Sequence, residues 1–325
     1  MEASNPFTPV YIPDPARMSP CRTAGSFSTQ NLLPAPQVTA NAWSILDIET
    51  GEFLWGKNCD VSSDIASLTK MMTCYLVNQC IKQHLISDQD LTLVPKDAAL
   101  LGGTTAYLKP QDTIKVVDLM YGMMLPSGND AAYTLADYCG SVLMSRCTKD
   151  KGKYSNVSYF VRHMNIVSFK IGMKATKFLN PHGLSHLGNT STAMGICKLA
   201  GKLMKNPLVC KIVAQTKYSC EVINKGVPRK LTWNNTNLLL GKPGVTGLKT
   251  GSTNTAGPCL CATFNMSNRH IAVTLFKSRT AEKRWPEAQR LASWAVNQLE
   301  IIQQKLTNNN IRVKNLSNLM NSFDS

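Results

Sequence analysis

The spacing of apolar and polar residues predicts β-strands near both ends of the chain and helices between them. Residues 42–47 and 52–55 are rich in apolar residues, and Glu49-Thr50-Gly51 between them is typical of a hairpin turn. Residues 257–266 and 269–277 form a second β-rich pair near the C-terminal end. We therefore expect one antiparallel sheet, assembled from both ends of the chain and flanked by helices.

Helical spacing of apolar residues occurs between the strand pairs and after the last strand. From Ser67 onward, apolar residues recur at the intervals of a helix, which predicts a helix beginning at this serine. The same spacing predicts helices over residues 114–124, 130–139, 156–175, 191–206 and 286–304. Strands at both ends around a helical middle indicate an α+β fold with three layers, helix, sheet and helix.

Proline and asparagine divide the chain into three parts. Seven of the 16 prolines lie before residue 39, so residues 1–39 are predicted to form a disordered, Pro-rich leader. Residues 40–300 hold the predicted strands and nearly all of the predicted helical residues, and they are expected to be one domain. Residues 301–325 are Asn-rich and are expected to form a frayed tail.

Charge and hydropathy exclude two classes of protein. The chain has 35 Lys and Arg against 20 Asp and Glu, a net charge of +15. The basic residues are scattered, without a dense run or interleaved aromatics, so a nucleic-acid partner is not expected. The charge instead favours attraction to an acidic substrate. No run of about 18 apolar residues occurs, so no transmembrane segment is predicted.

The eleven cysteines show no disulfide framework, because their number is odd and their spacing irregular. Most lie in apolar segments, where free cysteine behaves as a small hydrophobic residue. Free thiols lean towards an intracellular, reducing compartment. The first 21 residues have neither the basic nor the apolar region of a signal peptide. The sequence leaves the compartment open.

The first candidate for chemistry is Ser67-Leu68-Thr69-Lys70. Residues three apart share one face of a helix, so the Lys70 amine can reach the Ser67 hydroxyl. A serine hydroxyl needs an adjacent base to act as a nucleophile, and a desolvated lysine of lowered pKa can serve. Ser-x-x-Lys also occurs by chance on helix surfaces, so this motif alone does not decide.

The second candidate is Ser127-Gly128-Asn129, which precedes a predicted helix. Serine and asparagine are good N-cap residues, so a purely capping role is one interpretation. In the other interpretation, the Ser127 hydroxyl relays a proton while the Asn129 amide holds both the lysine and a substrate carbonyl.

The third candidate is Lys249-Thr250-Gly251, followed by Ser252. An ordinary strand end is one interpretation. Alternatively, Gly251 lets a substrate backbone approach closely, because it lacks a Cβ atom. Lys249 and Thr250 could then bind a carboxylate. The backbone N–H groups of Ser67 and Ser252 could form an oxyanion hole.

In this order, the three motifs match those of penicillin-binding proteins and class A β-lactamases. The flanking blocks, among them Asn180-Pro181-His182-Gly183-Leu184, closely resemble the low-molecular-weight penicillin-binding proteins that are D-alanyl-D-alanine carboxypeptidases, serine peptidase family S11. The resemblance covers residues 40–299. It implies a penicillin-binding protein/β-lactamase-like fold: an antiparallel sheet of about five strands, helices on both faces, and Ser67 at the junction with a helical lobe.

The resemblance also implies the reaction and its partners. Ser67 would attack a peptidoglycan-type peptide ending in D-Ala-D-Ala, with Lys70 as general base and Ser127 as proton relay. Asn129 would position the substrate, while Lys249, Thr250 and Gly251 would bind its C-terminal end. β-Lactams would be covalent inhibitors of the same serine. Neither a metal nor an organic cofactor is implied. Family members normally carry an export signal, and many carry a C-terminal membrane anchor. Neither is visible in this sequence.

Two alternative functions and two possible roles of His182 remain open at this point. A β-lactamase or esterase could use the same serine, although residues 178–189 contain no acid to activate a deacylating water. A non-catalytic protein could also use the same scaffold. His182 has either a loop-supporting role through hydrogen bonds or a role in deacylation.

Overall fold

The computed structural model of the protein describes residues 33–147, 152–184 and 188–321. Most of the predicted leader therefore lies outside the described residues. The strands are β1 (Ala42–Asp47), β2 (Phe53–Lys57), β3 (Ser63–Asp64), β4 (Leu91–Leu93), β5 (Asp112–Lys115), β6 (Thr190–Ser191), β7 (Lys217–Asn224), β8 (Val227–Asn234), β9 (Val245–Gly251), β10 (Cys259–Met266) and β11 (Arg269–Phe276). The helices are α1 (Thr69–Lys82), α2 (Lys96–Ala99), α3 (Val116–Met124), α4 (Asn129–Ser145), α5 (Asn156–Lys170), α6 (Ala193–Leu203), α7 (Pro207–Val213) and α8 (Arg284–Asn321).

The central sheet has five antiparallel strands in the order β2-β1-β11-β10-β9. It joins strands from both ends of the chain, as the hydrophobic pattern predicted. The β1–β2 turn closes on Asp47, whose carboxylate accepts hydrogen bonds from the backbone N–H groups of Glu49 (2.9 Å) and Thr50 (3.0 Å). Because β9 is an edge strand, its outer side is not paired with another strand of this sheet.

Helices cover both faces of this sheet and make three layers. Helix α8 packs against β1, β10 and β11 through a core that includes Ile45, Val273 and Leu291. Helix α6 covers the other face against β1 and β11, and its core is continuous with the helical lobe of α1, α3 and α4. The α+β, three-layer prediction is confirmed.

The lobe is not purely helical, which corrects the expected architecture. It carries a second antiparallel sheet in the order β4-β5-β7-β8. In the β7–β8 hairpin, Val222, Leu231 and Trp233 are buried, while the residues directly before and after each of them are exposed. This period-two pattern is typical of a half-buried strand. No strand was predicted for residues 206–247, so the β7–β8 hairpin is a difference from the expected fold.

Several helix boundaries also differ from prediction. Ile114 and Lys115 pair in β5, so α3 begins at Val116 instead of residue 114. Helix α8 continues past the predicted end at residue 304 to Asn321. Residues 33–39, assigned to the leader, contact α8: the Thr39 N–H donates to Glu287 Oε1 (2.6 Å), and Trp294 donates to the Leu33 carbonyl (3.1 Å).

Among the described cysteines, Cys59 departs from expectation, because it is disulfide-bonded. Disulfides are typical of oxidising compartments, so Cys59 counts against the intracellular expectation. Free thiols are found at Cys74, Cys80, Cys139, Cys197, Cys210, Cys220, Cys259 and Cys261. Within the described part of the chain, no helix is both long and apolar enough to span a bilayer.

Candidate active site

Ser67 lies in a short 3₁₀ turn, Ala66–Leu68, at the start of α1. Ala66 has a φ of +47°, which is uncommon for a residue other than glycine. Two hydrogen bonds hold this turn: Thr69 Oγ1 donates to the Ala66 carbonyl (2.8 Å), and Asn189 Nδ2 donates to Thr69 Oγ1 (2.8 Å). The predicted helix start was therefore close, but Ser67 occupies a tighter turn than an α-helix provides.

Lys70 is fully buried and donates hydrogen bonds to three oxygens. Its Nζ lies 2.9 Å from Ser67 Oγ and 2.7 Å from Asn129 Oδ1, and 2.6 Å from the His182 carbonyl oxygen. Burial lowers the pKa of Lys70 well below its usual value, and the charge of Lys249 lowers it further. The lowered pKa favours the neutral amine, which is the form that can accept a proton from Ser67.

Asn129 contacts Lys70 from the first residue of α4, and Ser127 lies two residues before it. The N-cap residue of α4 is Gly128 and has no side-chain capping bond, so the structure does not support the capping interpretation. Ser127 is buried at a φ of +68°, and its hydroxyl oxygen has no hydrogen-bond partner among the described residues. That hydroxyl is therefore available for a proton relay.

Asp130, which sequence analysis did not single out, stabilises the loop beside this motif. Its carboxylate accepts hydrogen bonds from the Ala106 N–H (2.8 Å), the Leu108 N–H (3.1 Å) and Thr105 Oγ1 (2.7 Å). In the sequence, an acid in the first turn of a helix is ordinary. Nothing local to residue 130 signals the loop that it contacts.

The third motif, Lys249-Thr250-Gly251, forms the end of β9 and lies against the 3₁₀ turn that contains Ser67. A Cβ atom built on Gly251 would lie 3.2 Å from the Ser67 nitrogen and 2.9 Å from the Ile65 oxygen. Only glycine therefore fits between the two segments without displacing one of them. This contact brings residues 67 and 251 together.

Lys249 and Thr250 are buried beside this contact. Burial lowers the pKa of Lys249 to about 7, and the charge of Arg284 lowers it further. Lys249 Nζ donates to the Thr250 carbonyl (3.2 Å), and Thr250 Oγ1 lies 2.8 Å from Thr236 Oγ1. An amine and a hydroxyl at the end of one strand can bind a carboxylate.

Arg284 is a further basic group that sequence analysis did not assign to the site. Its Nη1 donates to the carbonyl oxygens of Gly251 (3.3 Å) and Cys259 (3.1 Å). It begins α8 and lies next to the third motif. In the sequence it is part of a short basic cluster 33 residues after Gly251, which gave no indication of this contact.

His182 is buried, and its ring Nδ1 accepts the Leu184 N–H (3.2 Å). Burial and the charge of Lys70 lower the pKa of His182 to about 3, so the ring is neutral at pH 7. Its contacts fit a loop-supporting role, which stays a prediction. Ser252 is exposed directly after β9, and its part in an oxyanion hole also stays a prediction.

Sequence comparison relates this chain to proteins of a known family. The family model for D-alanyl-D-alanine carboxypeptidase, peptidase S11, matches residues 29–280. The D-alanyl-D-alanine carboxypeptidase DacC of Escherichia coli K12 is 32% identical over 85% of this chain and 66% of its own length. For DacF of Bacillus subtilis 168, the corresponding values are 28%, 79% and 62%.

Solved structures give the same result. The Streptomyces K15 DD-transpeptidase superposes with a TM-score of 0.73 and 28% identity, over 82% of this chain and all of its own. DacD of Francisella tularensis superposes with a TM-score of 0.72 and 25% identity, over 84% of this chain and 75% of its own. The chain spans about two thirds of the length of the two curated relatives above. It belongs to the D-alanyl-D-alanine carboxypeptidase family, serine peptidase family S11.

Proposed function

We propose that this protein is a serine-type D-Ala-D-Ala carboxypeptidase that removes the terminal D-alanine from a peptidoglycan-type peptide. The observation that carries the proposal is the hydrogen bond of 2.9 Å between Lys70 Nζ and Ser67 Oγ in a buried site. A surface Ser-x-x-Lys pair would remain solvated, whereas this lysine is fully buried and its pKa is lowered. The two groups therefore have the geometry and the environment of a nucleophile and its base.

Acylation follows from these contacts. Neutral Lys70 takes the proton of Ser67 as the Ser67 oxygen attacks the carbonyl carbon between the two D-alanines. Ser127, whose hydroxyl has no hydrogen-bond partner among the described residues, passes its proton to the leaving amine and is reprotonated by Lys70, so that free D-alanine departs and Lys70 is neutral again. A water molecule then hydrolyses the ester on Ser67. The N–H groups of Ser67 and Ser252 are proposed to stabilise the oxyanion of both steps.

The free edge of β9 provides a site for the substrate. An extended peptide can lie along an unpaired strand edge through main-chain hydrogen bonds. Lys249 and Thr250 at the end of β9 would hold the terminal carboxylate, and Arg284 adds positive charge there. One Nδ2 hydrogen of Asn129 is left for the substrate carbonyl, since the other is donated to Gly102 (2.8 Å).

β-Lactams are proposed to acylate Ser67 and to leave slowly. Class A β-lactamases use a glutamate to activate the deacylating water. The chain has no acid between residues 178 and 189, and the carboxylate of Asp130 is occupied by the loop at residues 105–108. Fast β-lactam hydrolysis is therefore not expected.

The proposal is tested by incubating the purified chain with a fluorescent penicillin and locating the adduct by mass spectrometry. A matched experiment measures the D-alanine released from a peptide ending in D-Ala-D-Ala. We expect an adduct on Ser67, its loss in Ser67→Ala, and D-alanine release by the wild type alone. An adduct that turns over rapidly would instead indicate a β-lactamase. Folded protein without an adduct would indicate a non-catalytic scaffold. Transfer of the acyl group to an added amine would indicate a transpeptidase.

A further inference from the structure

A turn formed by Gly102 and Gly103 lies over the amide of Asn129. The Gly102 carbonyl accepts a hydrogen bond from Asn129 Nδ2 at 2.8 Å. Gly103 has a φ of +78°, and a Cβ atom built on it would lie 2.8 Å from Asn129 Nδ2 and 2.8 Å from Leu184 Cδ2. Both contacts are closer than real Cβ atoms allow. The turn can close over these groups only because residue 103 has no side chain.

The Gly102 carbonyl determines how the Asn129 amide is oriented. A carbonyl oxygen accepts hydrogen bonds but cannot donate them, so it must face the NH₂ end of the amide. The amide oxygen then faces Lys70, whose Nζ donates to it at 2.7 Å. A displaced or rotated amide would withdraw one of the three oxygens that hold the Lys70 amine beside Ser67.

The turn and the second motif are also connected through their backbones. Thr104 Oγ1 donates to the Ser127 carbonyl at 2.5 Å, and the Asn129 N–H donates to the Thr104 carbonyl at 2.8 Å. A shift of Gly103 is therefore transmitted to the backbone that carries Ser127 and Asn129.

We propose that Gly103 is a positioning residue: its missing side chain lets the turn close between Asn129 and Leu184, and this holds the Asn129 oxygen on Lys70. The inference rests on the proposed function, because Lys70 is taken as the base that activates Ser67. Gly103 itself contacts neither the reacting serine nor the lysine.

The experiment compares Gly103→Ala with Gly51→Ala, in the β1–β2 turn, as a matched control. Gly51 has a φ of +77°, close to the +78° of Gly103, and a Cβ atom on it would meet nothing within 4 Å. We expect Gly103→Ala to lower the penicillin acylation rate by about tenfold to a hundredfold, as for the loss of a hydrogen bond to a charged group. Gly51→Ala should stay within about twofold of the wild type.

The second readout is the titration of Lys70, followed by NMR of ¹³C-labelled lysine. Loss of an acceptor oxygen destabilises the protonated amine, so the pKa of Lys70 should fall further in Gly103→Ala and stay unchanged in Gly51→Ala. The acid limb of the acylation rate should move to lower pH with it. A merely destabilised protein would lose activity at every pH without this shift.

The outcomes separate the two proposals. If the wild type is not acylated, the proposed function fails, and the Lys70 titration still decides the positioning role. If Gly103→Ala matches Gly51→Ala in both readouts, the positioning role is wrong. Should Gly103→Ala fail to fold, adding Leu184→Ala makes room on one side of the new methyl group. That double variant should then show the same shift of the Lys70 pKa, and a wild-type pKa would overturn the inference.

Discussion

Protonation of Lys249 should control how strongly the site prefers a substrate with a free carboxylate. Burial lowers the pKa of this lysine to about 7, so raising the pH through 7 removes its charge. About 97% of the amine is protonated at pH 5.5 and about 3% at pH 8.5. A carboxylate is attracted only by the protonated form, whereas a neutral C-terminal amide is not attracted by charge in either form.

The measurement is kcat/KM for D-alanine release from a peptide ending in D-Ala-D-Ala, and for release of D-alaninamide from the same peptide amidated at its C-terminus. Titration of Lys70 changes kcat/KM equally for both peptides, so the ratio of the two values reports only the protonation of Lys249. We expect the ratio of acid to amide to fall about 30-fold between pH 5.5 and 8.5, which follows the protonated fraction of the free enzyme. Arg284 keeps its charge throughout and sets the remaining preference.

Lys249→Arg is the control, because arginine stays charged at all of these pH values. Its ratio should be flat from pH 5.5 to 8.5. If the wild-type ratio is also flat, Lys249 does not bind the carboxylate through its charge. If both peptides lose activity in parallel above pH 7, the titrating group acts in the chemical step instead.

Two further predictions concern the groups around the nucleophile. Asn129→Ala leaves Lys70 with two acceptor oxygens, so we expect penicillin acylation, followed by mass spectrometry, to slow by about tenfold to a hundredfold; an unchanged rate would contradict this. In Gly183→Ala the new methyl group would overlap the carbonyl of Ala66, which precedes Ser67. Urea unfolding should therefore show a loss of unfolding free energy about 1–3 kcal/mol larger than in Gly188→Ala. Gly188 also has a positive φ (+95°, against +83° for Gly183) but only an ordinary contact, so equal losses of unfolding free energy would show that the overlap is relieved without cost.

The central sheet and the three motifs could be predicted from the sequence because each is marked by a residue pattern within a short segment of chain. The apolar stretches of β1 and β11 mark strands within single segments of chain. The spacing of three between Ser67 and Lys70 places both groups on one face of the first turn of a helix. The β7–β8 hairpin also has a period-two pattern within a short segment, so the sequence contains the signal for these two strands as well.

Other parts of the site had no local signal. Arg284 lies beside Gly251 only because α8 packs across the sheet at the end of β9 and β10. The Asp130 carboxylate is one of many acids in a first helical turn, and its three donors come from a loop more than 20 residues earlier. These contacts depend on which distant segments pack together, and a pattern read within one segment does not contain that information.

The sequence by itself determined which groups are present and how they are spaced: a serine and a lysine one turn apart, a Ser-Gly-Asn loop and a Lys-Thr-Gly strand end. Only the tertiary structure decided that they meet. Lys70 bonds to the carbonyl of His182, 112 residues away, and Gly251 lies against the Ser67 nitrogen. The physical reason is burial. A lysine acts as a base at neutral pH only when the packed protein excludes water from it, and that packing involves the whole domain.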